Sequence, residues 1–77
     1  MDLGNNLGFL PLTAIELHCL SGCAEGHSDA QMGEELELTT GEVASVINIV
    51  LLKLRVPNRL AGLAKAGRIG LLEKIDA

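Results

Sequence analysis

The sequence has almost no aromatic side chains, few cysteines and no long apolar run. Phe9 is the one aromatic residue, while apolar residues make up 48% of the 77 positions, so the core must be aliphatic and disorder through low hydrophobicity is excluded. No apolar run reaches the roughly 18 residues that a membrane-spanning helix needs, and no basic segment of the secretory kind begins the chain. Two cysteines are too few for a disulfide framework. These absences predict one small cytoplasmic domain without a membrane partner.

Lys and Arg are absent from the first two-thirds of the chain. Residues 1–52 contain eight acidic residues and no basic one, whereas residues 53–77 contain six basic and two acidic residues. The first segment therefore has a net charge of −8, and the second, six bases less two acids, has +4, which together give the −4 of the whole chain. A charge asymmetry of this size bears directly on which partners the chain can bind.

Patterns of known catalytic and cofactor sites are absent as well. The sequence has no glycine-rich phosphate loop, no nucleophile elbow and no pair of carboxylates placed for a cleft, which predicts that it is not an enzyme and binds no cofactor. A set of four possible zinc ligands does occur, namely His18, Cys19, Cys23 and His27. Gly26 is expected to end a helix before His27, and both cysteines take apolar positions, so buried free thiols are favoured over a metal site.

Three helix starts are marked by capping boxes, in which a hydroxyl residue precedes Glu or Gln by three positions. They begin at Thr13, Ser28 and Thr39, and each precedes a stretch of helical periodicity. We therefore predict helices over residues 14–24, 29–35 and 41–54, with a fourth over 59–66 that Asn58 caps after the break at Pro57. Strand patterns are absent, so the predicted fold is all-α with four helices. Residues 1–11 are predicted to be an irregular lead-in or linker, and residues 12–77 the domain.

Apolar residues at helical spacing predict the face that each helix buries. The expected buried positions are Ile15, Cys19, Leu20 and Cys23 in the first helix, Met32 and Leu36 in the second, Val43, Val46, Ile47, Val50, Leu51 and Leu54 in the third, and Leu60, Leu63 and Ala64 in the fourth. The expected exposed face of the third helix is Ala44, Ser45, Asn48, Ile49 and Leu52.

A short helix, a tight connection and a longer amphipathic helix are typical of a helix-turn-helix. Four segments support a narrower resemblance: Leu12-Thr13 with Glu16, Ala24-Glu25-Gly26-His27-Ser28, Leu36-x-Leu38-Thr39 with Val43, and Lys53-Leu54-Arg55-Val56-Pro57-Asn58-Arg59. In register and without a gap from Leu12 to about Leu72, they resemble the motifs of the LuxR-type (GerE-type) helix-turn-helix domain of bacterial transcription regulators. The resemblance implies a four-helix domain that binds DNA in the control of transcription.

The resemblance also implies a homodimer contact through the last helix. The candidate dimer residues are Leu60, Leu63, Ala64 and Gly67. The alternative is that these residues only cover the core of the monomer, and the sequence leaves the two open.

The DNA-contact positions depart from the family pattern. The family's third helix usually carries Thr, Lys, His and Asn on its polar face, where this chain has Glu42, Ala44, Val46 and Ile49. The DNA-contact candidates that remain are Ser45 and Asn48 for base edges, and Lys53, Arg55, Asn58 and Arg59 for phosphates.

A second function, from a different class, follows from these departures. Glu34, Glu35 and Glu42 would repel phosphates but attract a basic protein partner. Ile49 and Leu52 are apolar on a face that should meet water; they either anchor such a contact or are ordinary scattered apolar residues of a protein surface, and the sequence leaves the two open. The alternative to a DNA-binding module is therefore a degenerate, acidic-faced helix-turn-helix that acts in protein interaction or dimerisation.

Overall fold

Four helices follow one another along the chain in the computed structural model, which describes residues 11–72. They are α1 (Ala14–Ala24), α2 (Asp29–Leu36), α3 (Thr40–Leu54) and α4 (Arg59–Arg68), and residues 71–72 are again helical. No strand occurs within this part of the chain, so the predicted all-α fold of four helices is confirmed. The predicted boundaries differ from these by two residues at most. Nearly all of the predicted lead-in lies outside the described residues.

The predicted capping boxes are all present, and they explain where the first three helices begin. The Thr13, Ser28 and Thr39 hydroxyls each accept a hydrogen bond from the backbone N–H three positions on, at 3.0–3.2 Å. In return, the side chain at that position accepts from the backbone N–H of the capping residue at 2.8 Å. Asn58 caps α4 by accepting from the Ala61 N–H at 2.9 Å. Local hydrogen bonding therefore sets each helix start.

The connection between α2 and α3 is a tight left-handed turn. Glu37 ends α2 in the left-handed conformation (φ 60°, ψ 42°), and the Leu38 N–H then donates to the Gly33 carbonyl at 2.8 Å. A Cβ atom on Gly33 would lie 2.5 Å from the Leu38 carbonyl oxygen, so the turn can fold back onto α2 only because residue 33 has no side chain. Thr39 then caps α3 immediately.

The core is built around α3, which packs against the other three helices. One cluster of buried side chains joins the first half of α3 to α1 and α2 and consists of Cys19, Met32, Val43 and Ile47, with Leu38 among the residues packed against it. The other joins the second half of α3 to α1 and α4 and consists of Leu20, Val50, Leu54 and Ala66. The buried face predicted for α3 is confirmed, with Val46 and Leu51 partly buried at its edges.

The predicted buried face of α1 is wrong at Ile15. The Ile15 side chain is 48% exposed, and Glu16 takes the inward position instead. The side of α1 that faces the core carries Glu16, Cys19, Leu20 and Cys23. Ile15 lies about 100° around the helix axis from the middle of that side. A carboxylate can occupy this line because Glu16 is hydrogen-bonded by Thr13 and Lys53.

The predicted buried face of α4 is wrong at Leu60 and Ala64. Leu60 is 79% exposed and Ala64 is exposed, whereas Gly62 and Ala66 are buried and Leu63 is half-buried. Positions two apart lie on nearly opposite sides of a helix, so burying Gly62 and Ala66 turns Leu60 and Ala64 outward. The small residues let α4 approach α3 closely, since a Cβ on Gly62 would lie 2.8 Å from Leu51 Cδ2.

Among residues 11–72, no helix combines the length and the apolar character needed to cross a membrane.

Candidate functional site

The outer face of α3, defined by Glu42, Ser45, Asn48, Ile49 and Leu52, points away from both core clusters. All five residues are exposed, which confirms the predicted exposure of Ser45, Asn48, Ile49 and Leu52. The predicted exposure of Ala44 is wrong, because Ala44 lies at the margin of the face and is half-buried. Ser45 and Asn48 can donate to and accept from a base edge or another polar group. Leu52 is 77% exposed and Ile49 44% exposed, so the C-terminal half of the face is apolar. The face therefore combines two hydrogen-bonding side chains with an apolar end.

Four acidic residues lie in the segment that leads into α3 and in its first turn. Glu34 and Glu35 lie in the last turn of α2, Glu37 forms the turn, and Glu42 lies in the first turn of α3. All four are exposed. Glu42 Oε1 accepts from the Thr39 N–H at 2.8 Å and so helps to cap α3, but its charge stays at the surface. A phosphate approaching this end of α3 would meet like charge.

Lys53, a predicted phosphate contact, is held inside the domain by Glu16. Lys53 Nζ donates to Glu16 Oε1 at 2.7 Å, and the two side chains are only 24% and 10% exposed. Burial by itself raises the pKa of the Glu16 carboxyl, but the hydrogen bonds from Lys53 and from the Thr13 N–H outweigh it and lower that pKa below its ordinary value. The pair thus joins the start of α1 to the end of α3.

Arg59, another predicted phosphate contact, is likewise paired within the chain. Its guanidinium donates from both terminal nitrogens to the two carboxylate oxygens of Asp29, each at 2.9 Å. This forked hydrogen bonding lowers the pKa of Asp29 and raises that of Arg59. Both residues open their helices, so the pair links the first turn of α2 to the first turn of α4.

The remaining predicted phosphate contacts are at the end of α3 and the start of α4. Arg55 is exposed and ends α3 in the left-handed conformation (φ 61°, ψ 47°). The side-chain oxygen of Asn58 is used in capping α4. Two further basic residues lie on α4. Lys65 donates to the Leu54 carbonyl at 2.8 Å, and Arg68 is exposed in the last turn. Among residues 11–72, the accessible positive charge is therefore concentrated at Arg55 and Arg68.

Two histidines lie beside Glu35 where α1 and α2 meet. His18 Nε2 is 3.1 Å from Glu35 Oε1, and His27 Nδ1 is 3.9 Å from Glu35 Oε2. The other ring nitrogen of His27 is 3.6 Å from Glu25 Oε1. His27 Nδ1 is itself buried and without a hydrogen-bond partner. The carboxylate of Glu35 thus has an imidazole on each side.

The two cysteines are free thiols in or near the core. Cys19 is fully buried and Cys23 half-buried. Burial raises the pKa of both, so both are protonated and weakly nucleophilic at neutral pH. Within residues 11–72, no three His, Cys, Asp or Glu side chains are arranged to hold a metal ion.

The dimer candidates occupy two environments on α4. Leu60, Ala64 and Gly67 are exposed, while Leu63 packs against the second core cluster. A Cβ on Gly67 would meet nothing within 4 Å, so this part of the helix is open.

Sequence reasoning missed the side-chain partners that connect helices. The Glu16–Lys53 pair spans 37 positions and the Asp29–Arg59 pair 30 positions. The sequence patterns give Glu16 only a capping role, and Lys53 and Arg59 only a role in contacting phosphates. No local spacing rule would find such pairs, although the scarcity of bases in a strongly acidic chain indicates that some would be used internally.

Comparison with known proteins finds no family model, no curated protein and no solved structure that matches this chain.

Proposed function

We propose that this chain is a LuxR-type helix-turn-helix domain of a bacterial transcription regulator, acting on DNA in the cytoplasm through the outer face of α3. The observation that carries the proposal is the arrangement of α2 and α3: two capped helices joined by a left-handed turn that closes onto Gly33, with Ser45 and Asn48 exposed on the outer face of the second. A helix exposed in this way can enter the major groove. The motifs from Leu12 to about Leu72 agree with this arrangement.

In this function Ser45 and Asn48 contact base edges. Arg55 and Asn58 lie just beyond the end of α3, where they would contact backbone phosphates. Lys53 and Arg59 would contribute only by exchanging Glu16 and Asp29 for phosphate, and the exchange would leave a carboxylate without its partner. Binding by this domain alone should therefore be weak, and a homodimer through α4 would strengthen it by joining two half-sites.

A second candidate function is docking on a basic protein, and a specific observation favours it. Ile49 and Leu52 form an exposed apolar end on the outer face of α3, while exposed acidic residues lie in the segment that leads into α3 and in its first turn. Apolar anchors beside acidic side chains are suited to an amphipathic basic segment. In this function Glu34, Glu35 and Glu42 carry the electrostatic attraction.

A salt titration separates the two functions. Binding to a mixed-sequence duplex, measured by fluorescence anisotropy, should weaken as salt rises. The slope of log affinity against log salt should be about −4 or shallower, because at most about four Lys and Arg side chains reach phosphates. Double substitution of Ser45 and Asn48 by Ala should leave this non-specific binding unchanged and should remove any preference among sequences selected from a random pool.

The triple variant Glu34→Gln, Glu35→Gln, Glu42→Gln is the matched probe of the acidic side chains, and Gln at position 42 keeps the capping box. It should strengthen non-specific DNA binding, because fewer like charges meet the phosphates. If docking on a basic protein is the function, the same variant should abolish binding to a basic amphipathic peptide. Sub-micromolar, sequence-specific duplex binding by the wild type at physiological salt would reject the docking function, and no duplex binding even at low salt would reject DNA binding.

A further inference from the structure

The charge changes sign between the beginning of α3 and its end. Glu42 lies in the first turn and is exposed, and Arg55, which ends the helix just beyond Leu52, is exposed as well. The apolar residues Ile49 and Leu52 lie between these two charges, and Leu52 is 77% exposed. At a rise of about 1.5 Å per residue, Ile49 lies about 10 Å along the helix from Glu42, and Arg55 about 20 Å. A partner on the outer face of α3 therefore meets an acidic residue, then apolar ones, then a basic one.

This order of charges favours one direction for a helix laid along the outer face of α3. Acidic residues stabilise the first turn of a helix and basic residues its last turn, because the peptide dipoles add up along the axis. The charges of α3 follow this rule, with Glu42 in the first turn and Lys53 in the last. A partner helix that also follows it, laid antiparallel to α3, brings its basic last turn to Glu42 and its acidic first turn to Arg55. Laid parallel, the same helix would bring like charges together at both ends.

We propose that the outer face of α3 binds a basic amphipathic helix of another protein, antiparallel to α3. Apolar residues near the start of the partner helix cover Ile49 and Leu52, and basic residues in its last turns contact Glu42. These basic residues follow the apolar ones by about seven to ten positions, because Glu42 precedes Ile49 by seven positions and Leu52 by ten. Between the two ends, Ser45 and Asn48 donate to or accept from polar side chains of the partner. The inference rests on the second candidate function, docking on a basic protein.

The test uses two synthetic helical peptides of identical composition, each mixed with the full chain at low salt and followed by fluorescence anisotropy. In the spaced peptide, a Leu pair one turn apart precedes a Lys pair by about eight positions. In the compact peptide, the same Lys pair lies within one turn of the Leu pair. The spaced peptide should bind about fivefold more tightly, because only its Lys side chains reach the beginning of α3, and exposed ion pairs contribute modestly.

Substitutions in the chain assign the contacts. Glu42→Gln keeps the capping box and should weaken the spaced peptide about threefold, but not the compact one. Its control is Glu25→Gln, an exposed acidic residue at the end of α1, which should change neither affinity. Leu52→Ala should weaken both peptides about tenfold through the loss of apolar contact. Leu60→Ala changes an equally exposed leucine on α4 and should have no effect.

A paramagnetic label on the first residue of the spaced peptide reports the direction of binding. It should broaden the amide signals around Leu52 more strongly than those around Glu42. Stronger broadening around Glu42, or equal affinities of the two peptides, would overturn the proposal and leave the docking function standing. Binding of neither peptide at low salt, whether or not a duplex binds, would overturn both.

A second copy of the chain is the other candidate occupant, because α4 carries Leu60 and Arg68, both exposed, eight positions apart. Light scattering of the free chain separates this case from the proposal. We expect Leu52→Ala to leave the apparent mass unchanged. A mass lowered by Leu52→Ala would show that a second copy occupies the face and would overturn the proposal.

Discussion

At the scale of single residues, Glu16 shows how one side chain serves two structural roles. One oxygen, Oε1, accepts from the Thr13 N–H at 2.8 Å and from Lys53 Nζ at 2.7 Å. The first contact is local and starts α1, while the second ties α1 to the end of α3. A buried carboxylate is stable only when such donors replace water. Glu16 is therefore a core residue of this domain despite its charge.

Replacing Lys53 by Met should show what this pair contributes. The Glu16 carboxylate would stay buried without its cationic partner, so the free energy of unfolding at pH 7 should fall by about 1.5–3 kcal/mol. The pKa of Glu16 should rise relative to that in the wild type, because burial would be opposed only by the hydrogen bonds with Thr13. Urea denaturation and an NMR titration of the carboxyl measure the two effects.

The matching control is the double variant Lys53→Met, Glu16→Gln, in which a neutral amide can still accept from Thr13. It should be more stable than Lys53→Met alone, because no uncompensated charge remains buried. Wild-type stability in Lys53→Met, with the pKa of Glu16 still lowered, would show that the pair contributes nothing.

At the scale of helices, the sequence predicts starts well and buried faces less well. Each start depends on residues three positions apart, as at Thr39 and Glu42, so it is readable locally. The face that α4 buries depends instead on Gly62 and Ala66, whose small side chains give no hydrophobic signal. Leu60 has the stronger signal and is exposed. Close packing of two backbones is a tertiary property, and periodicity alone does not reveal it.

Replacing Gly33 by Ala tests the closure of the turn between α2 and α3. The new Cβ would lie 2.5 Å from the Leu38 carbonyl oxygen, which is backbone and cannot rotate away. We expect a loss of about 1–3 kcal/mol in the free energy of unfolding, measured by urea denaturation.

Gly41→Ala is the matched control, because Gly41 is exposed in α3 and a Cβ there meets only the Thr39 hydroxyl, at 4.0 Å. It should be neutral or gain up to about 1 kcal/mol from helix propensity. Equal effects of the two substitutions would mean that the turn does not need a glycine at position 33.

At the scale of the whole molecule, α4 offers an exposed apolar residue for association. Leu60→Glu should lower the apparent mass of a dimer in light scattering and leave the helical circular dichroism unchanged, because Leu60 makes little contact with the core. Leu63 is unsuitable for this test, since it packs against the second core cluster. Leu52→Glu changes an equally exposed residue on α3 and should leave the mass unchanged. A wild type that is monomeric at high concentration would exclude the dimer, and equal effects of both variants would exclude α4 as its particular site.

The two interhelical ion pairs also predict how the domain responds to acid. The pKa values of Glu16 and Asp29 are lowered from 4.5 and 3.8. The unfolded chain therefore binds protons more readily than the folded one, so the stabilisation is present above the unfolded values and is lost as the pH falls through the folded ones. The free energy of unfolding should decrease from about pH 5 downward. The double variant Glu16→Gln, Asp29→Asn should be less stable at neutral pH and show a flatter decline, and an unchanged decline would assign the acid sensitivity to other groups.

The position of α3 between two clusters has a consequence for how the domain opens. Cys19 and Leu20 are neighbours in α1 but belong to different clusters, and α3 contributes Val43 and Ile47 to one and Val50 and Leu54 to the other. Unpacking either cluster therefore disturbs α1 and α3, which also form part of the other cluster. Amide hydrogen exchange should accordingly find the slowest protons in the middles of α1 and α3, all exchanging with one common opening free energy. The outer helices, α2 and α4, each belong to only one cluster and can detach singly, so their amides should exchange sooner.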